Sequence, residues 1–310
     1  MKQLALVTAV ASVGLDEDLP PLLQACRKAG LGVRALAWDD PTVSWGRFDA
    51  VLLRSPWDYT QRHAEFLAWC RRVDRQSLLL NPLQVVVWNS DKHYLTELAA
   101  AGVPVVASSF VETEAEPLPA LQSFLAGHDA AEFVVKPAIS AGSRDTQRYA
   151  RAQEFAASNH IARLLEHGRS VLLQPYLASV DRDGETALVF FDGQFSHAIR
   201  KGPLLPLDGE ASRALFSEEA IGPRVPGEDE QAIARQALAA VADALDLVEP
   251  LAYARVDLIR DADGRPRLLE LELTEPCLFF ARAPGSVDDF AAQLALRLER
   301  NSIPARMAAR

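Results

Sequence analysis

Near the C-terminus the chain reads AYARVDLIRDADGRPRLLELEL, with Asp257, Glu270 and Glu272 on two strand-like runs either side of an Asp-Ala-Asp-Gly turn. Side chains on a strand alternate between faces, so all three carboxylates point the same way. With Asp261 facing Gly264 across the turn, Arg255 lies opposite Glu270 and Asp257 opposite Leu268. Asp257 and Glu270 are then diagonal neighbours, roughly 7 Å apart. Carboxylates this close repel unless a cation sits among them. A hard divalent cation fits, because Mg²⁺ takes one or two carboxylates together with phosphate oxygens. A solvated acidic edge, with Arg255 among its neighbours, is the competing reading.

Residues suited to holding an anion precede this hairpin. Lys136 ends the apolar run Glu132 to Val135 and is followed by Pro137. A buried lysine is costly unless paired, and an anionic ligand would satisfy it. The next segment is SAGSRDT, Ser140 to Thr146, where Ser140, Ala141, Gly142 and Ser143 allow close backbone approach and amide or hydroxyl contacts to phosphate; an ordinary turn reads the same. Lys92 is expected in the first turn of a helix, where a cation is unfavourable unless an anion binds beside it. Arg200 and Lys201 end the run FSHAIRK and could hold a phosphate or a carboxylate, or stand in water. Asp181 and Glu185 follow LLQPYL and suit a ribose or a substrate amine. His197 reads as a core histidine. Cys277 reads as a small buried residue, since no base is placed by sequence to activate it.

These groups need a scaffold, and the chain supplies an ordinary one. Its 310 residues carry 32 Lys and Arg against 42 Asp and Glu, a net charge of -10 that disfavours a general nucleic-acid or anionic-membrane binder. The three widely spaced cysteines suggest no disulfide framework, which fits a reducing, cytoplasmic setting. Lys2 followed by LALVTAVASV imitates a short signal peptide, but LALVTA also reads as the first strand of an α/β unit, the reading adopted here. That unit alternates strand and helix through residue 87 and implies a parallel sheet. It lacks a G-x-G-x-x-G after the first strand. A second unit, 88–175, contains the Lys92 and Lys136 segments. A third, 176–310, opens with a hairpin turning at Asp192-Gly193 and ends with the acidic hairpin. Residues 202–229 form a long irregular stretch, read as a lid over the site. Arg54, Trp57 and Asp58 follow the third strand of the first unit, where substrates tend to bind.

In this order, Lys92, FVVKP at Lys136, the small-residue loop, QPYL, Asp257 and a terminal E-x-E resemble the ATP-grasp superfamily. ELELTEP is similar to the acidic strand of bacterial glutathione synthetases, with Glu272 where Asn is usual. The segments LLRSPWDY, WNSDKHYL, VVKPAISAGSRDT, FSHAIRKGPLL and LELELTEPCLF look like the cyclo-ligase group that closes O-ureido-D-serine to D-cycloserine.

The resemblance implies an N-terminal Rossmann-like pre-ATP-grasp domain and two α+β subdomains that clamp ATP. It implies that Lys92 and Lys136 hold the nucleotide phosphates under the 140–146 loop. Gln174, Tyr176 and Leu177 would form the adenine hinge and Asp181 the ribose contact. Asp257, Glu270 and Glu272 would bind two Mg²⁺, with Mn²⁺ as an alternative; whether Glu275 replaces Glu272 stays open. Arg255, Arg200 and Lys201 would steady the transferred phosphate. Arg54, Trp57, Asp58, Glu185, Thr274 and Glu275 are the substrate candidates. The expected activity is an ADP-forming ligase that phosphorylates a carboxylate or ureido carbonyl before amine attack on a small amino-acid-like substrate. The expected partners include no nucleic acid and no membrane, with a homo-oligomer left open. Rival readings are a linear dipeptide-type ligase, a non-catalytic nucleotide-binding regulator, and a periplasmic-type binding protein that would leave the acidic strand unexplained.

Overall fold

The computed structural model describes residues 1–207 and 220–301, so the middle of the expected lid, 208–219, lies outside the described residues. The first 80 residues form a parallel sheet of β1 (Gln3–Thr8), β2 (Gly32–Ala37), β3 (Ala50–Ser55) and β4 (Leu78–Leu80), in the order β2-β1-β3-β4. LALVTA lies in one of its two central strands. Alternate residues explain why β1 and β3 are apolar on both faces. Leu4, Leu6, Ala50 and Leu52 pack with Leu22 and Cys26 of α1 (Leu19–Lys28). Ala5, Val7, Val51 and Leu53 pack with Phe66, Trp69 and Cys70 of α2 (His63–Asp74).

After α3 (Leu83–Asn89) and α4 (Tyr94–Ala100) comes an antiparallel sheet. It contains β5 (Ser109–Val111), β6 (Glu132–Pro137), β7 (Gln147–Ala150) and β8 (Val171–Pro175), ordered β5-β8-β6-β7. Its helices α5 (Pro117–Ala126) and α6 (Glu154–Glu166) cover one face, where Phe133 and Val135 are buried. Val134 and Lys136 therefore face away from these helices.

The third sheet follows α7 (Ser179–Asp183) and contains β9 (Glu185–Phe191), β10 (Gln194–Lys201), β11 (Ile221–Arg224), β12 (Tyr253–Arg260) and β13 (Pro266–Glu272). All neighbours in the order β11-β10-β9-β12-β13 are antiparallel. α8 (Glu228–Ala244) packs Ala234, Ala237 and Val241 on one face. α9 (Ser286–Arg300) sends Phe290 and Leu294 into the core that also holds Leu4 and Leu52, joining the chain's two ends. The β9-β10 hairpin turns at Asp192 and Gly193, both at positive φ, as its two-residue loop requires. β11 was not foreseen; its Pro223 is tolerated because the strand lies at the sheet edge.

The acidic hairpin is paired differently from the sequence expectation. Asp261 closes on Arg265, so the loop has three residues and ends at Gly264, with φ of 76°. A bulge then intervenes between Asp257 and Leu258, so that Arg255 opposes Glu272 and Asp257 opposes Glu270 directly. The two one-residue slips sum to an even number, which keeps the three carboxylates on one face. The bulge also turns Leu269 and Glu270 together toward that face, while Leu268 and Leu271 stay in the core.

β13 is an edge strand whose outer edge is closed by other parts of the chain. Leu268 exchanges backbone hydrogen bonds with Pro104 and Val106 at 2.7 and 2.9 Å. The Tyr94 hydroxyl bonds both backbone groups of Leu271 at 3.0 and 2.9 Å. The Asn89 amide donates to the Leu271 carbonyl at 2.9 Å and accepts from the Leu273 N–H at 2.8 Å. The strand that carries Glu270 and Glu272 is thus fixed from both sides.

Candidate active site

A cleft opens between the free face of the second sheet and the carboxylate face of the third, closed at one end by residues of the first unit. Residues of all three units line it, from Trp57 and Tyr59 through Lys92 and Lys136 to Glu270 and Glu275.

The middle of the cleft is a network of buried ions. Lys92 Nζ lies 2.9 Å from Glu270 Oε1 and donates to the Ser140 carbonyl at 2.9 Å. Lys92 precedes α4 rather than sitting inside its first turn, so the helix argument for it fails while its place in the cleft holds. Lys136 Nζ stands 3.9 Å from Glu270 Oε2. Arg255 grips both oxygens of Asp257, at 2.8 and 2.9 Å, and also meets Glu272. Lys201 Nζ reaches Asp257 at 3.0 Å and Glu185 at 3.1 Å.

Protonation follows from this packing. Burial would raise the Asp257 carboxyl, but Arg255 and Lys201 outweigh it and hold it at about 2. Burial likewise opposes ionisation of Glu270, and Lys92 and Lys136 overcome it, so its pKa is lowered. Glu272 behaves oppositely: burial lifts it to about 8 despite Arg255, with repulsion from Asp257 and Glu270 adding to the rise. Burial lowers the pKa of Lys136, and Glu270 only partly restores it.

At one end the lining is apolar. Val106, Val180, Ile259 and Leu269 cluster with Tyr176 and Leu177. Gln174 lines the cleft from β8 and donates to the Ser108 hydroxyl at 2.9 Å. The loop of Ser140, Ala141, Gly142 and Ser143 lines the cleft beside Lys92, with Gly142 and Ser143 at φ of 61° and 57°. This end suits a flat heteroaromatic base with its phosphates directed at the lysines.

The opposite end is aromatic and acidic, formed by Trp57, Tyr59, Glu275, Cys277 and Phe279. The Tyr59 hydroxyl hydrogen-bonds the Glu275 carboxylate, and Trp57 Nε1 donates to the Glu275 carbonyl at 3.3 Å. The guanidinium of Arg255 stands 5.4 Å from the Phe279 ring centre.

Several sequence candidates fall outside the cleft. Arg54 is fully buried and donates to the Pro276 carbonyl at 3.0 Å, with Asp16 and Asp18 at 3.7 and 3.6 Å. Asp58 accepts from Trp38 Nε1 at 2.8 Å and pairs with Arg62. Thr274 is buried against Asn89. Asp181 pairs with Arg148 and accepts from the Tyr176 hydroxyl at 2.6 Å, beside the cleft lining rather than in it. Arg200 bonds the backbone of Asp183 and Arg182, because neighbours on a strand face opposite ways and Lys201 takes the cleft side. His197 lies outside the cleft lining and donates from Nε2 to the Leu278 carbonyl at 2.8 Å.

Tyr59, Asn89 and Phe279 line the cleft and were missed from sequence; the last turns inward at a left-handed residue, φ 53°. Among the described residues, no three His, Cys, Asp or Glu side chains form a ready-made metal cage. The all-oxygen set of Asp257, Glu270 and Glu272 nonetheless fits Mg²⁺, which completes its shell with phosphate and water. No helix among the described residues is long and apolar enough to cross a membrane.

Known proteins are similar to this chain in sequence and fold. A family model described as D-cycloserine synthetase DcsG, N-terminal domain, matches residues 4–81. The cycloserine biosynthesis protein DcsG of Streptomyces lavendulae is 48% identical over 297 residues, covering 96% of this chain and 99% of that protein. The crystal structure of D-cycloserine synthetase DcsG superposes with a TM-score of 0.90 at 47% identity, covering 96% of this chain and 99% of that one. The ATP-grasp ligase PsnB, complexed with a phosphomimetic variant of its minimal precursor, Mg and ADP, shares the fold. Its TM-score is 0.61 at 19% identity, over 95% of this chain and 99% of that one.

Proposed function

Because the chain belongs to the DcsG family of ATP-grasp ligases, we propose that it closes an O-ureidoserine-type amino acid into a cycloserine-like ring, releasing ADP. A cycloserine ring joins the amino acid's carbonyl carbon to its oxyamino nitrogen and leaves the α-amine free. Of the two groups considered for activation, the carboxylate is therefore the one that must react. A carboxylate is a poor electrophile because its leaving group would be oxide. Transfer of the γ-phosphoryl from ATP makes an acyl-phosphate. The oxyamino nitrogen attacks the carbonyl carbon and loses its proton as phosphate departs, and water then cleaves the bond between that nitrogen and the carbamoyl carbon, releasing carbamate that breaks down to carbon dioxide and ammonia.

The residues divide this work by position. Lys92 and Lys136 hold the nucleotide phosphates, while Gln174, Tyr176 and Leu177 take the base. Lys201 and Arg255 steady the phosphoryl group in flight and the phosphate as it leaves. Mg²⁺ ions, two by this reading, would be held by Asp257, Glu270 and Glu272 and supply charge neutralisation to the transfer. The small substrate occupies the Trp57 end, where the surrounding aromatic side chains limit access of water to the acyl-phosphate. The three units, 1–87, 88–175 and 176–310, are assigned as the substrate-end closure, the nucleotide cover and the metal-bearing half.

The observation that carries this reading is the set of Lys92, Lys136, Lys201 and Arg255 paired with Glu270, Asp257 and Glu272 on the floor of the cleft. The experiment is ADP release from Mg-ATP across a panel of amino acids that includes both O-ureidoserine enantiomers. One enantiomer is expected to drive turnover, and Glu270→Gln to reduce it at least about 100-fold, a loss of about 3 kcal/mol in transition-state stabilisation. Turnover with an amine acceptor and no ring product would instead select the linear ligase.

A further inference from the structure

We propose that Glu275, with Tyr59 and Trp57, forms the pocket for the substrate's α-ammonium group and so keeps that amine out of the reaction. This deepens the cyclo-ligase reading and rests on it.

The argument begins with which carboxylates of the cleft already have cations. Glu270 has Lys92 and Lys136, Asp257 has Arg255 and Lys201, Glu272 has Arg255, and Glu185 has Lys201. Among the described residues Glu275 has no such partner at ion-pair distance, although it lines the same cleft. Its carboxylate is instead hydrogen-bonded by Tyr59 and lies at the aromatic end, with Trp57 bonded to its backbone. A carboxylate flanked by aromatic rings is a setting that attracts an organic cation. Burial raises the Glu275 carboxyl to about 7, and a cation arriving there shifts it toward the ionised form.

Chemistry gives the pocket a purpose. The substrate carries three nitrogens: the α-amine, the oxyamino nitrogen and the carbamoyl NH2, whose lone pair is delocalised into its carbonyl; only the oxyamino one closes the ring. A free α-amine is the stronger nucleophile and would attack acyl-phosphates on other molecules. An α-ammonium ion paired with Glu275 has no lone pair and cannot attack. The position of Glu275 is supported from outside the cleft. Arg54 holds the neighbouring Pro276 carbonyl, and the Asp18 carboxylate accepts from the backbone of Leu278, Phe279 and Phe280 at 2.6 to 3.0 Å.

The test compares O-ureidoserine with its des-amino analogue, which keeps the carboxylate and the ureido-oxy group. Binding to the Mg-ADP complex is measured by calorimetry for wild type, Glu275→Gln and Tyr59→Phe. Wild type is expected to prefer the amino compound. Glu275→Gln is expected to weaken it about 10- to 100-fold, as loss of a charge-assisted hydrogen bond would, with little change for the analogue. Tyr59→Phe should weaken it less. Unchanged Mg-ADP affinity shows that each variant is folded. Equal losses for both compounds, or none for either, overturn the Glu275 assignment while wild-type turnover leaves the cyclo-ligase reading intact. A wild type that binds no α-amino compound overturns both.

Discussion

At the scale of single residues, Glu272 is where this chain departs from the glutathione-synthetase pattern, and its environment has a consequence for stability. Its carboxyl sits at about 8 in the folded protein, against an ordinary 4.5. The unfolded chain therefore loses this proton first as pH rises. Folding stability attributable to Glu272 is greatest below the ordinary value and is lost between about pH 4.5 and 8. Urea unfolding of the ligand-free protein across that range should show this decline. Glu272→Gln should reduce it, leaving the part due to Glu275 below about pH 7, and raise stability at pH 8 by roughly 1–3 kcal/mol. The same variant should gain less stability from Mg-ADP than wild type does. A variant with the wild-type slope would show that another group causes the decline. Lys201 and Arg200 carry a different lesson: strand alternation alone requires that one of them leave the site, and the sequence could have yielded that choice.

At the scale of elements, the site depends on how β13 is held. Asn89 stands in for a missing neighbour strand by bonding Leu271 and Leu273, so Asn89→Ala strands the buried N–H of Leu273 and leaves the Leu271 carbonyl with the Tyr94 hydroxyl as its remaining side-chain donor. We expect a loss of about 1–3 kcal/mol in chemical denaturation. Nucleotide-dependent activity should fall with it, because Glu270 and Glu272 flank Leu271. A loss below about 1 kcal/mol would mean that water replaces the amide. Much of this level was legible beforehand. The β-α alternation of the first unit, both Asp-Gly hairpins and the face shared by the carboxylates all follow from local pattern. The bulge, the three-residue loop and β11 do not, because each is decided by the strand opposite. Asn89 and Tyr59 were invisible for the same reason, since their partners lie about two hundred residues away.

At the scale of the whole molecule, the first unit reaches into the third through Asp18 and Arg54. The Asp18 carboxylate organises Leu278 to Phe280, and Arg54 is buried beside it with Nε and Nη2 lacking hydrogen-bond partners. Asp18→Asn removes charge that compensates a fully buried guanidinium, so we expect about 3 kcal/mol of destabilisation. Below the new melting temperature, KM for the amino acid should rise while Mg-ADP affinity stays near wild type. Equal losses at both ends would show that the anchor serves folding only. By this division, a relative could change its substrate through the first unit without altering its nucleotide machinery.

The cations and acids on the cleft floor answer one another before any ligand arrives. A bare phosphate ion would have to pull Lys92 and Lys136 off Glu270 and leave that acid stranded. A bare metal ion would strand the lysines. Only the two together let every group exchange one partner for another, so the protein reads metal and nucleotide jointly, as a two-key lock.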